Sequence, residues 1–218
     1  MRLPSICLDD QLAKYLEQFR SCFSKPQYKY FVTILLGLLL CQSGFTLTGI
    51  LRQVSQDVTL SGTSRFLSQA PWSTTDVCGQ WQTTFQVEMI PMVQSEHARQ
   101  RARQPKRRGR PRKTVVTGYL ILDDSTHVKR YAQAMGGQGR HYSSTDGRSM
   151  PGHSLFQGVY LVEGCQYPLD PQMYIQKAVC EREQLIFRSK VEMALQTVKD
   201  FEPLAETHTH VLVDSWYV

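Results

Sequence analysis

TVVTGYLIL, residues 114–122, runs without a break into Asp123 and Asp124. Its β-branched and apolar content predicts a strand that ends on carboxylates. A second stretch has the same form: the strand predicted over His210–Val213 runs into Asp214, and Asp124 and Asp214 are each followed by Ser. Between them, LFQGVYLV (residues 155–162) reads as a second strand. Residues 167–174 read as a short third, weakened by Pro168 and Pro171. A helix is predicted from about Arg182 to Phe201, with Phe187, Val191, Ala194, Leu195 and Val198 on its apolar face. Strand, strand, short strand, helix, strand is an α/β layout, and such sheets place their chemistry at strand ends.

Two strands that end in Asp can bring their carboxylates to one edge of a sheet, where a divalent cation relieves their repulsion. Oxygen donors of this kind suit Mg²⁺ or Mn²⁺, and a two-metal site serves in-line attack on phosphate. Either Asp alone would read better as a loop or capping residue. The pair carries the signal.

Working back toward the N-terminus, residues 1–96 read as helical. Asp9 and Asp10 precede Leu12, Tyr15, Leu16, Phe19 and Phe23, one stripe of a helix that Pro26 ends. YFVTILLGLLLC, residues 30–41, reads as a buried core helix, because twelve residues fall short of the roughly 20 that a membrane span needs. Thr46 opens a short helix with Leu47, Ile50, Leu51 and Val54 inward, and another carries Phe66 and Leu67. Ser73 is the expected N-cap of a last helix, with Asp76 in its first turn, running through Val77, Trp81 and Phe85 to Pro91. Cys7, Cys22, Cys41, Cys78, Cys165 and Cys180 are scattered, with no zinc spacing, and fit reduced thiols in a cytosolic chain.

The net charge of +6 over 218 residues is not spread evenly. Of 25 Lys and Arg, nine lie between Arg99 and Lys113 with no acid among them, and the other 16 are outnumbered by 19 Asp and Glu. The molecule is thus mildly acidic with one basic segment, read from about Ser95 to Lys113 as a linker without large apolar residues. At its centre stands Arg108-Gly109-Arg110-Pro111, flanked by Lys106, Arg107, Arg112 and Lys113. Gly leaves the backbone free of side chain and Pro holds it extended, so two guanidinium groups can enter a narrow A·T minor groove while the flanking cations meet phosphates. The segment resembles an AT-hook, matching its Arg-Gly-Arg-Pro core.

The chain from Tyr119 onward resembles the catalytic domain of DDE-type insertion-sequence transposases, cut-and-paste enzymes with a ribonuclease-H-like fold. The matching pieces are YLILDDST, the block HYSSTDGRSMPGHSLFQGVYLVEGCQYPLDPQMY, the amphipathic helix and VLVDSWY; SRFLSQAPW and RRGRPRK are similar to one group of that class. The resemblance implies an α+β chain: an N-terminal α-helical DNA-end-binding region (1–96), an AT-hook-like basic linker (97–113), and a partial ribonuclease-H-like α/β domain (114–218). It makes Asp124 the first catalytic and metal-binding carboxylate, with Asp123 as fallback, and Asp214 the second.

The family's third carboxylate, a Glu, follows the second Asp, and this sequence has none after Asp214. The expectation is therefore the N-terminal part of a transposase from a truncated or frameshifted element, catalytically incomplete. The alternative is a non-catalytic DNA-binding remnant, or a competitor of an intact copy. Mg²⁺ or Mn²⁺ is the cofactor implied for the complete enzyme. Double-stranded DNA is the implied partner, with a homodimer as a compatible assembly, no membrane, and a cytoplasmic, nucleoid-associated location. His153, His208 and His210 read as surface or hydrogen-bonded groups, and Gly136, Gly137 and Gly139 as a flexible turn. Arg140, His141 and Arg148 are candidate DNA contacts near the active edge.

Overall fold

The computed structural model describes residues 10–42, 45–54, 58–104, 112–131, 135–143 and 145–217. The chain divides into two compact units, Met1–Thr84 and Phe85–Val218, and is α+β, with helices gathered in the first unit and a mixed sheet in the second.

In the first unit, α1 (Asp10–Glu17) gives way to a short 3₁₀ turn, and α2 (Lys25–Leu40) follows. Pro26 lies in the first turn of α2, where its missing N–H costs nothing, so it begins that helix as well as separating it from α1. Ser24 donates its backbone N–H to the Gln27 side chain at 2.8 Å. Phe19, Phe23 and Phe66 form the buried centre, and Phe31, Trp72 and Trp81 pack against it. The apolar run is only partly a core helix: Phe31 and Ile34 pack inward, but Leu38, Leu39 and Leu40 are exposed. No helix among the described residues is long and apolar enough to cross a membrane. Thr46 and Thr59 cap α3 (Leu47–Arg52) and α4 (Leu60–Gln69) through their hydroxyls, each accepting from a glycine N–H at 3.1 Å.

Ser73 caps α5 (Thr74–Arg103) as expected, accepting from Asp76 N–H at 3.1 Å. That helix does not stop at Pro91. It runs on to Arg103 and so takes in the first part of the stretch read as linker. Pro91 lies on its exposed side together with Val87, whose carbonyl loses its donor, so water is at hand to take the bond. In the second unit Phe85, Met89, Val93 and His97, spaced by four, form one row on this helix. Met89, Val93 and His97 are buried, and Phe85 stacks on Tyr167.

The sheet has the order β2-β3-β1-β6, with β4 and β5 pairing on β3. β1 (Val116–Val128) is longer than expected: it passes through Asp123 and Asp124 and stays paired with β3 (Arg148–Val162) as far as Val128 opposite Gly152. β2 (Gly139–Ser143) occupies ground read as turn, and β3 begins at Arg148, well before Leu155. β4 (Cys165–Pro168) and β5 (Gln172–Tyr174) replace the one short strand. The single helix from Arg182 is two: α6 (Lys177–Glu183) and α7 (Lys190–Asp200). α7 buries Met193, Ala194 and Thr197, whereas Val191, Leu195 and Val198 of the expected apolar face are exposed. β6 (Thr207–Val213) then returns parallel to β1.

Candidate active site

The site grows out of the β1–β6 pair. Their parallel register ends at Leu122 opposite Val213, so Asp123 and Asp214 are the next residues of the two strands. Val116, Gly118, Leu120 and Leu122 alternate toward the buried face, and Asp124 continues that series into a half-buried position. Asp123 belongs to the opposite, exposed series, and its Oδ1 accepts the Asp124 backbone N–H at 2.7 Å.

Asp124 is held by three donors from three elements. Lys190 Nζ, on the first turn of α7, lies 2.6 Å from Oδ2, and Ser154 Oγ of β3 donates to the same oxygen at 3.1 Å. Tyr217, in the 3₁₀ turn after β6, donates its hydroxyl to Oδ1 at 3.0 Å. Burial by itself would raise the Asp124 pKa. The Lys190 hydrogen bond and charge, with the bonds from Tyr217 and Ser154, outweigh it and hold the carboxyl below its ordinary value. Tyr217 moves the other way: burial, the bond to Asp124, and the charges of Asp124, Asp123 and Asp214 all push its phenol up, so it stays protonated. One hydroxyl thus feels all three aspartates. Asp214 is exposed, and its Oδ1 accepts both the backbone N–H and the hydroxyl of Ser215.

The ring centre of Tyr174 lies 5.1 Å from the Lys190 ammonium, and the neighbouring strands carry two buried histidines. His153 is hydrogen-bonded but not on the surface: it lies within β3, with Nε2 3.0 Å from the Gly136 carbonyl. His141, on β2, is 8% exposed, and its Nε2 has no hydrogen-bond partner among the described residues. Burial first, then the charges of Lys190 and His153, lower its pKa against the opposing pull of Asp124. His141 is therefore no surface DNA contact. Arg140 and Arg148 are exposed. Arg140 borders an open groove of about 900 Å³ that Gln176, Arg182 and Glu183 also line. His208 and His210 sit on the exposed side of β6, their ring centroids 4.7 Å apart.

Carboxylate oxygens on adjoining strands, with no thiolate among them, are the donor chemistry a hard divalent cation takes. A stand-in cation, the Lys190 ammonium, is already seated on Asp124. The described residues nonetheless contain no group of three His, Cys, Asp or Glu side chains arranged to hold a metal. What Asp124 and Asp214 share with such a site is their donor chemistry, carboxylate oxygen.

Lys106 to Pro111, the core of the expected DNA-binding segment, lie outside the described residues, and Arg112 and Lys113 are exposed. The described flanks are tied together. His97 Nδ1 lies 2.7 Å from Thr114 Oγ1 and its Nε2 2.9 Å from the Glu206 carbonyl. The Gln100 side chain both accepts from and donates to the Val115 backbone, and Gln104 donates to the Arg112 carbonyl at 2.8 Å.

A family model for DDE superfamily endonucleases matches residues 18–218, and the chain belongs to that family. No curated protein and no solved structure matches.

Proposed function

We propose that this chain is an insertion-sequence transposase polypeptide that contributes the first and second carboxylates of a metal-dependent phosphodiester site, Asp124 and Asp214. The observation that carries the reading is the parallel β1–β6 pairing, which stops one residue short of Asp123 and Asp214, with Tyr217, just beyond β6, bonded to Asp124 of β1. An antiparallel β2-β3-β1 arrangement extended by a parallel strand supports a ribonuclease-H-like domain.

When bound, Mg²⁺ or Mn²⁺ would neutralise these carboxylates and polarise a scissile phosphate. The chain's own residues prepare the place. Asp124 is kept ionised by Lys190, Ser154 and Tyr217, and so is ready as an oxygen donor. Tyr217 keeps its proton and fixes one Asp124 oxygen, while Ser215 orients Asp214. In the family's chemistry water attacks a phosphodiester and the freed 3′-hydroxyl then attacks target DNA. The basic segment centred on Arg108 and Arg110 supplies the duplex contact, in the manner of an AT-hook.

The other reading, a non-catalytic DNA-binding protein that competes with an intact transposase, is favoured by one observation: Asp124 already has a cationic partner from the chain itself, the Lys190 ammonium at 2.6 Å. Both readings require duplex binding; the cation separates them. Mn²⁺ binding followed by calorimetry, lost in Asp124→Asn and in Asp214→Asn, is the expected result for a transposase site. Duplex binding without any Asp124-dependent Mn²⁺ binding would leave the competitor reading standing.

A further inference from the structure

We infer that Lys190 is a built-in competitor for the divalent cation at Asp124, so that the site takes its cation only as this ammonium is drawn away. The inference rests on the reading of Asp124 as a metal-binding carboxylate and adds a gate to it.

Lys190 is the first residue of α7, whose N-terminus carries the positive end of the helix dipole, the wrong end for a cation. Its backbone is fixed there by a reciprocal cap, the Ser189 hydroxyl accepting from Glu192 N–H at 3.2 Å and the Glu192 carboxylate from Ser189 N–H at 2.8 Å. What offsets the dipole is Asp124, 2.6 Å away, with the Tyr174 face beside it. Together Lys190, Ser154 and Tyr217 use three of the roughly four acceptor positions that a carboxylate offers.

A divalent cation binds a carboxylate oxygen at about 2.0–2.1 Å for Mg²⁺. Seated on Asp124 Oδ2, it would stand against the ammonium, and the two positive charges exclude each other. Since the cap holds the backbone, the departure of Lys190 is a rotation of its side chain, which is 33% exposed and has an open path to solvent. A DNA phosphate beside the site would attract the released ammonium. Duplex and cation would then each favour the other's binding, because linkage is reciprocal.

The test uses the whole chain and Mn²⁺, with free Mn²⁺ read by its electron paramagnetic resonance signal. Lys190→Met should bind Mn²⁺ about tenfold or more tightly than the wild type, while Lys190→Arg, which keeps the charge, stays weak. In the wild type, saturating Mn²⁺ should speed acetylation of Lys190 several-fold, followed by mass spectrometry, and leave exposed Lys199 on the same helix unchanged. Asp124→Asn should acetylate fast without Mn²⁺. Asp124-dependent Mn²⁺ binding that is no tighter in Lys190→Met, with wild-type melting, overturns the gate alone. So does Lys190 labelling that saturating Mn²⁺ does not alter. Failure of both the wild type and Lys190→Met to bind Mn²⁺ through Asp124 overturns the metal reading and the gate together.

Discussion

Gly118 and Tyr160 share one volume. A Cβ placed on Gly118 would overlap the Tyr160 hydroxyl, so the absence of a side chain on β1 is what lets Tyr160 of β3 lie across it. From there the phenol reaches Thr207 Oγ1 at 3.0 Å and Thr209 Oγ1 at 3.2 Å on β6. One tyrosine thereby ties the antiparallel part of the sheet to the parallel strand that leads to Asp214. Gly118→Ala must push this ring away, and we expect it to lower stability by about 1–3 kcal/mol, the usual cost of overpacking. Urea denaturation measures it.

Tyr160→Phe keeps the ring and removes the hydroxyl. The expected loss is about 1 kcal/mol, and it should be smaller still in a Thr207→Val, Thr209→Val background, where the partners are already gone. Equal losses in both backgrounds would mean that the hydroxyl does not work through those threonines.

The His141 ring makes stability depend on pH. Its folded pKa lies below the ordinary histidine value, so the unfolded chain takes up the proton first as pH falls. Stability contributed by the neutral ring is full above about pH 6.5 and is lost as pH drops through that value toward the folded pKa. Thermal melting of His141→Gln should show a flatter dependence between about pH 7 and 5 than the wild type.

Asp124 obeys the same rule in a lower window. Its depressed pKa means that the contribution is present above the ordinary carboxylate value, about 3.9, and is lost as pH falls below it. Asp124→Asn should therefore remove part of the acid sensitivity seen below about pH 4, and the acid-induced unfolding midpoint reports it.

Arg108→Ala with Arg110→Ala should weaken binding to an A·T-rich duplex and reduce the salt slope by about one for each phosphate that is no longer neutralised. Fluorescence anisotropy at several salt concentrations reads both. A change in affinity for A·T-rich and G·C-rich duplexes alike would point to phosphate binding without groove selection.

Much of the second unit was legible because β-branched runs ending in Asp announce themselves. Where the sequence misled, the cause is local. Gly139 and the Pro151-Gly152 pair look like turn residues, yet each lies in a strand. At Gly152 a Cβ would overlap the His127 carbonyl oxygen, so Gly there serves the close approach of β1 and β3. Asp123 and Asp124 mark the end of β1's pairing with β6, not of β1 itself, because β3 continues alongside. Lys190 and Tyr217 were not singled out, since partners 66 and 93 residues away leave no periodic trace. One signal was available: Ser189-x-x-Glu192 is a capping box, and a lysine at the first position of a capped helix calls for an anion nearby.

The ties between α5 and the start of β1 change what the basic segment is thermodynamically. With Gln104 bonded to Arg112, Gln100 to Val115 and His97 to Thr114, the two feet of the segment are already brought together before any duplex arrives. The entropy of bringing those ends together is spent in folding, so a duplex that contacts Arg108 and Arg110 meets a segment whose two feet are already fixed. Cutting one foot, by His97→Ala for instance, would be felt as a weaker grip on DNA although no residue that touches DNA had changed.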